Sequence, residues 1–554
     1  MTDYPSLPVL SAAQMRACDT FTMRTVPSRV LMERAAAAVV RCVDELSASG
    51  TPALVLCGGG NNGGDGFAAA RFLSAGTYGP VRSVSVLYLG RLTTDGTPDA
   101  DRMSAECARQ YALCRDADVS VLTLPDDAAV DELIAALAMG SIVIDAVFGI
   151  GLDRPVDGLI ARVFRSVKAA GVPVTAVDIP SGVNADTGCV MGEALSCAAT
   201  VTMQALKPGL LLWPGAGLCG AVTVADIGVD LSGAPEEHPI RLTGLDELKA
   251  ALPPRARRTH KGTYGNLALC VGSRGMAGAA VLSVSAALHS GAGLVTAVTP
   301  QANRVILQTT VPEAVLCLYN GRQPDLRALR KRLFRTDGKP AFDGLVIGCG
   351  LGTSACSLAV LSFLLDALLT CPAVPVVLDA DALNLLAQHP ELWETGLLAC
   401  PDKRVVITPH PAEMSRLCGS PVPDILSDLP GIARAFAHTH GVTVVLKDAH
   451  TVTAGPDGSL YISAAGNAGM AGGGSGDVLA GIIGALLTQN RDRIGDDLPL
   501  TMLAAAGVLL HGMAGDEAAR TSGEYGMSAS YILSALPAVT RSLSDSRTII
   551  KQYP

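Results

Sequence analysis

The sequence predicts an α/β protein of two domains, each an open and mostly parallel sheet covered by helices. Three observations carry this. Short apolar runs alternate with helical patterns along most of the chain, and the runs tend to end in an acid or a glycine turn. The alternation lapses around residues 231–260, where prolines, mixed charge and one short helical pattern read as a linker. At 554 residues the chain is too long for one core. The expected domains are residues 1–232 and 233–554.

Residues 11–50 read as two helices, SAAQMRACD and RVLMERAAAAVVRCVDELSASG, the second closing at Gly50. ALVLC (53–57) is a short buried strand, and GGGNNGGDGFAAARFL after it turns from loop into helix. VRSVSVLYLG (81–90) is the next strand, with a charged-flank helix following to about residue 115. SIVIDAVFGIGL (141–152) is a strand ending in an acid and a glycine loop, and VPVTAVDIPSG (172–182) repeats that design. ATVTMQALKPGLLL and GAVTVADIGV add two strands. In the linker, Arg255, Arg257 and Arg258 form a small basic run, read as a solvated face. The second series begins at NLALCVGS (266–273) and continues through LVTAVTP, DGLVIGCGLGT, VPVVLDADALNLL, RVVITPHPAEMSRL and VTVVLKDAHTVTAG. It ends in NAGMAGGGSGDVLAGIIGALL, Asn467 to Leu487, and a helix-rich tail.

With 49% hydrophobic and 4% aromatic residues, the cores are built from Ala, Val, Leu and Gly. A net charge of −9 argues against nucleic acid or an acidic membrane surface as the main partner. The fifteen cysteines are odd in number and scattered without a CxxC pair, as around Cys57, Cys270 and Cys349. They read as buried thiols in a reducing cytosol. The nine histidines show no metal-ligand spacing. MTDYPSLPVLS lacks the basic and apolar regions of a signal peptide. The charge-free run Met276 to Asn303 contains His289 and the break SGAG, which fits a buried helix and strand better than a membrane span. The expectation is a cytoplasmic protein.

Two constellations carry chemistry. GGGNNGGDG (58–66) follows a strand and opens a helix, a position suited to phosphate, yet it matches neither common nucleotide fingerprint. Asp145, Asp178 and Ser181 also fall at strand ends, where the sheet would gather them near Asn62. Their oxygens suit a hard cation. The series GGGNNGGDG, DAVFGIGLDRPVDG and DIPSGVNADTG resembles the N-terminal domain of the bifunctional NAD(P)H-hydrate repair enzymes, over roughly residues 11–230. The resemblance implies a Rossmann-like, three-layer epimerase interconverting the R and S hydrates of NADH and NADPH (NADHX and NADPHX). It implies potassium on Asn62, Asp145 and Ser181. The hydrate would be held by Asn61, Asn62, Gly63, Gly64 and Asp65, by Gly149, Ile150, Gly151, Leu152, Asp153, Arg154 and Pro155, and by Asp178. Asp145 and Asp178 are both candidates for the chemical step, and the residues do not choose between them. Arg34, in LMERAA, stands where the family usually shows Asn.

In the second half KGTYGNLALCVGSRGMAGAA (261–280), GCGLG (348–352), LDADALNLL (378–386), ITPHPAEMSRL (407–417), LKDAHTV (446–452) and GGGSGD belong together. The glycine amides at 473–476 can stabilise phosphoryl charge, and Asp477 can take a proton from an attacking hydroxyl. Its bland alternative is a helix N-cap. These segments resemble the C-terminal domain of the same repair enzymes, over roughly 236–550. That implies a ribokinase-like fold and an ADP-dependent dehydratase, with Mg2+ beside the ADP, releasing AMP and phosphate from the S hydrate. By resemblance Ala279, Gly352, His410 and Asp477 meet the hydrate, while Lys447, Asp448, Ala449, His450, Thr451 and Gly476 hold the nucleotide. Asp448 and Cys349 depart from the family's glycine and proline. The family also implies a homo-oligomer. The competing readings are a ribokinase-like kinase of a vitamin precursor, which leaves the first constellation unused, and a non-catalytic nucleotide-binding scaffold.

Overall fold

After a short strand, Leu7–Val9 (β1), and two helices, Ala12–Thr22 and Ser28–Leu46, the run ALVLC forms Ala53–Cys57 (β2). All five of its residues are buried, as expected of a strand covered on both faces. The structure, a computed structural model, describes residues 4–124, 130–235, 240–252, 255–495 and 497–544. These fall into two units, residues 8–235 and residues 4–7 with 240–544.

In the first unit β2 is joined by Val84–Tyr88 (β3), Ser120–Thr123 (β4), Ile142–Ala146 (β5), Val174–Val177 (β6), Ala199–Met203 (β7) and Ala221–Ala225 (β8). They make one sheet in the order β4-β3-β2-β5-β6-β7-β8, parallel throughout. The chain builds outward from β2 to β4, then returns to the other side of β2 with β5. That reversal opens a crevice beyond the C-terminal ends of β2 and β5.

Helix Asn61–Ala75 leaves β2 across this crevice, and its glycines have a packing reason. A Cβ on Gly63 would lie 1.9 Å from the Gly58 carbonyl oxygen, and one on Gly66 would lie 2.5 Å from Ala146 Cβ. The helix therefore approaches the sheet more closely than side chains would allow. Gly63→Ala is expected to cost about 1–3 kcal/mol by overpacking. In a unit of this size that lowers Tm by roughly 2–4 °C per kcal/mol, read by thermal unfolding.

The second unit contains Ile240–Leu242 (β9), Asn266–Cys270 (β10), Leu294–Pro300 (β11), Val315–Tyr319 (β12), Gly344–Ile347 (β13), Val376–Leu378 (β14), Val405–Ile407 (β15), Thr443–Leu446 (β16), Thr451–Ala454 (β17) and Leu460–Ser463 (β18). The sheet order is β1-β9-β18-β17-β16-β15-β14-β13-β10-β11-β12. It is parallel from β12 across to β16, then antiparallel through β17 and β18, with β9 parallel to β18. Here the order reverses between β10 and β13. Helix Ser475–Gln489 crosses close to this point. A Cβ on its Gly481 would lie 2.3 Å from the Ser283 carbonyl oxygen, and one on Gly484 2.4 Å from Val346 Cγ2.

The expected linker is partly structural. Ile240–Leu242 pairs with β18, and helix Leu245–Ala251 buries Leu248 and Ala251 in the core. Arg255 is exposed, as expected of a solvated face, and its guanidinium stacks 3.9 Å over the Tyr264 ring and donates to the Gly291 carbonyl. Residues 236–239 and 253–254 of that stretch lie outside the described residues. Near the start of the chain, Tyr4 donates to Asp516 at 2.7 Å and Ser6 to Glu247 at 2.5 Å, so residues 4–7 belong with the second unit. The run from Met276 forms helix Ala277–His289 and strand β11. Among the described residues no helix is long and apolar enough to cross a membrane.

Candidate active sites

In the first unit the loops after β2, β5 and β6 border a cleft of about 420 Å³. Asn61, Asn62, Asp65, Gly149, Ile150, Gly151, Leu152 and Asp178 line it. Gly63 and Gly64 are absent from the lining and serve helix packing; Asp153, Arg154 and Pro155 also fall outside it. Arg34 is outside too, but it donates to the carbonyl of Ile227, a lining residue, at 2.9 Å.

Asp178 sits in the left-handed region at φ +70°, an uncommon state for a side-chain-bearing residue. Its Oδ1 accepts from Lys207 Nζ at 2.5 Å, and from Thr202 Oγ1 and the Met203 amide at 3.2 Å each. Lys207 is 1% exposed and also donates to Thr202 Oγ1 and the Met203 carbonyl, both at 2.9 Å. Two further acids share the cleft. Burial, then the charge of Asp178, pushes Asp19 up to about 6, with Lys207 pulling the other way. Burial raises Asp65 well above the usual carboxylate range, and Asp178 and Asp19 add to it. Three acids thus share the cleft with two cations, Lys207 and Arg16, a surplus of negative charge that favours keeping a proton on Asp19 or Asp65.

Asp145 and Ser181 lie behind this lining, both fully buried. Ser181 donates its amide to Asp145 Oδ2 at 2.7 Å and its hydroxyl to Oδ1 at 2.5 Å, and the hydroxyl accepts from the Phe148 amide. Burial pushes Asp145 up to about 6 against these hydrogen bonds. Asn62 Nδ2 is buried and has no partner among the described residues. Gly149 is held beside it; a Cβ there would be 3.3 Å from the Asn62 carboxamide carbon. The buried Asp145 carboxylate and the Ser181 hydroxyl, with the carboxamide oxygen that Asn62 can offer, form an oxygen-rich set that fits a hard cation such as potassium.

In the second unit the strand ends converge on Asp477. The helix Ser475–Gln489 is capped by Gly474 in the left-handed conformation (φ +92°), with no side-chain cap. Asp477 is in the first turn and is not the cap, so the bland reading of this acid fails. Burial, then the charge of Asp379, pushes it up to about 6, while Cys349 and Lys447 pull it back. First-turn amides that no side chain caps, and the helix dipole, suit an anion here.

Asp379, at the end of β14, accepts from Thr408 Oγ1 at 2.6 Å and from Lys447 Nζ at 3.0 Å. Lys447 is also 3.8 Å from Glu413 Oε2. Burial alone would lower its pKa, but Asp379 and Glu413 outweigh that and raise it, so the ammonium is held charged. A Cβ on Gly476 would sit 3.5 Å from Lys447 Nζ, which places the lysine beside the glycine turn. Asp448, Ala449 and His450 form the turn between antiparallel β16 and β17, and Thr451 opens β17.

Gly352 (φ +77°) donates its amide to Asp381 at 2.7 Å, and Ala279 packs under Gly350 of the same turn. His410 caps helix Pro411–Cys418. Its Nδ1 accepts from the Ala412 and Glu413 amides at 3.2 and 3.3 Å, so a neutral ring carries its proton on Nε2. Burial lowers its pKa, which favours that neutral form. Asn467, which begins the glycine-rich stretch, donates to Asp516 at 3.0 Å, anchoring one end.

A model described as NAD(P)H-hydrate dehydratase matches residues 267–538, and one described as YjeF-related protein N-terminus matches residues 28–209. The bifunctional NAD(P)H-hydrate repair enzyme of Moorella thermoacetica is 36% identical over 545 residues, 97% of each chain. This chain belongs to the bifunctional NAD(P)H-hydrate repair enzyme family. The Escherichia coli member is 35% identical, covering 87% of this chain and 84% of that one. A solved ADP/ATP-dependent NAD(P)H-hydrate dehydratase from Bacillus subtilis, 27% identical, covers 55% of this chain and 98% of its own, with a TM-score of 0.46. Four polar residues of this repair-family chain escaped the sequence reading as site residues: Asp19, Lys207, Asp379 and Glu413. Asp19 and Lys207 lie outside the quoted motifs or read as parts of a helix and a strand. Asp379 was visible as an acid at a strand end, and Glu413 only as a helix-start acid.

Proposed function

We propose that this chain repairs hydrated NADH and NADPH in the cytoplasm, with epimerase chemistry in residues 1–232 and ADP-dependent dehydration in residues 233–554. The observation that carries the reading is Asp477, a weakened acid at a helix start that has no side-chain cap, beside the Lys447 ammonium. The hydrate would lie against Ala279, Gly352 and His410, and ADP, accompanied by Mg2+, along Gly476 and Lys447 to Thr451. Asp477 takes the proton of the substrate hydroxyl as its oxygen attacks the terminal phosphoryl group, and AMP leaves. The C–O bond then breaks with phosphate as leaving group, the ring nitrogen supplying the electrons. Loss of the proton from the adjacent carbon restores the dihydronicotinamide. The first-turn amides and Lys447 stabilise the charge on the transferring group.

In the first domain Asp178, unlike Asp145, faces the cleft, which favours it as the acid that meets the hydrate. Paired with Lys207, it would stabilise the iminium charge that develops as the hydroxyl departs, with Asp65 or Asp19 managing the proton. Asn62, Asp145 and Ser181 would hold potassium, which supplies counter-charge to the buried Asp145 carboxylate.

The test is recovery of dihydronicotinamide absorbance from prepared NADPH hydrate on adding ADP and Mg2+. Phosphate transfer to an added alcohol without recovery would sink the repair reading. A pH profile follows from Asp477. Its pKa is raised to about 6, so the base is protonated below that value and free above it. Dehydration should therefore rise through a limb centred near pH 6, and a flat rate across that range would exclude Asp477 as the base.

A further inference from the structure

We propose that Cys349, Asp379 and Asp477 form a site for a thiophilic divalent cation of the zinc class, and that its occupation silences the dehydratase. The Cys349 sulfur and one carboxylate oxygen from each acid all lie within 4.8 Å of one another. Cys349 Sγ is 3.5 Å from Asp379 Oδ2. Zinc bonds of about 2.3 Å to sulfur and about 2.0 Å to oxygen, at a tetrahedral angle, place two such ligands about 3.5 Å apart. The pair is therefore already at the spacing that the metal imposes.

The surroundings prepare the remaining atoms. Thr408 and Lys447 both engage Asp379 Oδ1, which fixes the carboxylate and leaves Oδ2 on the Cys349 side. Cys349 is fully buried and Asp379 is 2% exposed, so both are pre-positioned, whereas Asp477 is only partly buried and is the ligand with room to adjust. Three protein ligands leave a fourth position for water or a phosphate oxygen. Binding replaces the thiol proton by the metal and releases it to solvent. The thiolate and two carboxylates then carry three negative charges, which the divalent cation and the Lys447 ammonium together balance. A sulfur ligand selects zinc, cadmium or cobalt over magnesium, so the Mg2+ that accompanies ADP does not compete well. Tighter binding at higher pH follows from the proton released.

Silencing rests on the reading of Asp477 as the base, because a carboxylate bound to metal no longer accepts the substrate proton. Binding itself does not depend on that reading, and the two are measured separately. Cobalt(II) is added to the metal-free full chain, and the sulfur-to-cobalt charge-transfer absorption and tetrahedral visible bands are recorded. Wild type is expected to show a band that Cys349→Ala lacks, with zinc displacing the cobalt at one equivalent. Cys349→Ser, closer in size, serves if the alanine variant does not fold. Zinc affinity should fall by at least about tenfold in either variant. Identical bands and zinc affinities in wild type and variant, reporting other cysteines, overturn the site. In parallel, zinc should suppress dehydration in wild type, reversibly with a chelator and at lower concentration than in the variant. Bound cobalt that leaves dehydration untouched overturns the silencing. Failure of the zinc-free enzyme, supplied with ADP and Mg2+, to dehydrate at all counts against the repair reading, and the charge-transfer band still decides the metal site.

Discussion

Asp477→Asn is expected to lower ADP-dependent dehydration by about 10²–10⁴, the range typical of a lost general base, while epimerisation continues. The substitution keeps the side chain's size and removes only its ability to take a proton. Folding should be little affected, because the helix start is capped by Gly474 and Asp477 receives no backbone amide as a cap. Replacing a raised acid by a neutral amide also removes a carboxylate that Asp379 repels. Single-turnover dehydration, epimerisation of the R hydrate and thermal unfolding of the same preparation separate these effects. A dehydration rate within a few fold of wild type would remove Asp477 from the chemistry. Equal loss of both activities in a folded variant would overturn the assignment of the two reactions to separate sites.

Much of this site was legible because parallel sheets place chemistry in a predictable position. Strands such as ALVLC and NLALC are apolar on both faces, and an acid or glycine at their C-terminal ends has no role inside the sheet. Asp145, Asp178, Asp379 and Gly348 were therefore visible as strand-end residues. Short or half-exposed elements were not. SVLT, which forms β4, is at most partly buried, and IRL, which forms β9, has three residues; neither has enough apolar length to stand out. β12 alternates only weakly, and LKDAHT conceals a reversal that only the antiparallel pairing reveals. The glycine runs were legible as runs but not residue by residue. Gly66 is required by its contact with Ala146, which comes from another segment of the chain. Lys207 was hidden for the same reason. Its neighbours in sequence read as a strand end before proline, while its function is set by Asp178, twenty-nine residues earlier.

That buried pair gives the second large effect. Lys207→Met is expected to destabilise the N-terminal unit by about 3–5 kcal/mol, because it strands a carboxylate that has lost its cation. Asp178 is 13% exposed, so some water reaches it and the lower end of the range applies. At roughly 2–4 °C per kcal/mol the loss corresponds to a Tm fall on the order of ten degrees. The damage is electrostatic rather than steric, since methionine retains most of the aliphatic stem. Lys207→Met with Asp178→Asn should therefore lose less stability than Lys207→Met alone, as the amide carries no unpaired charge. A double variant no more stable than the single one would show that Lys207 acts through its packing and its bonds to Thr202 and Met203. Epimerisation supplies the complementary reading. If Asp178 stabilises cationic character in the hydrate, restoring stability with the amide will not restore the rate, and a double variant that is both stable and fully active would exclude that carboxylate from the reaction.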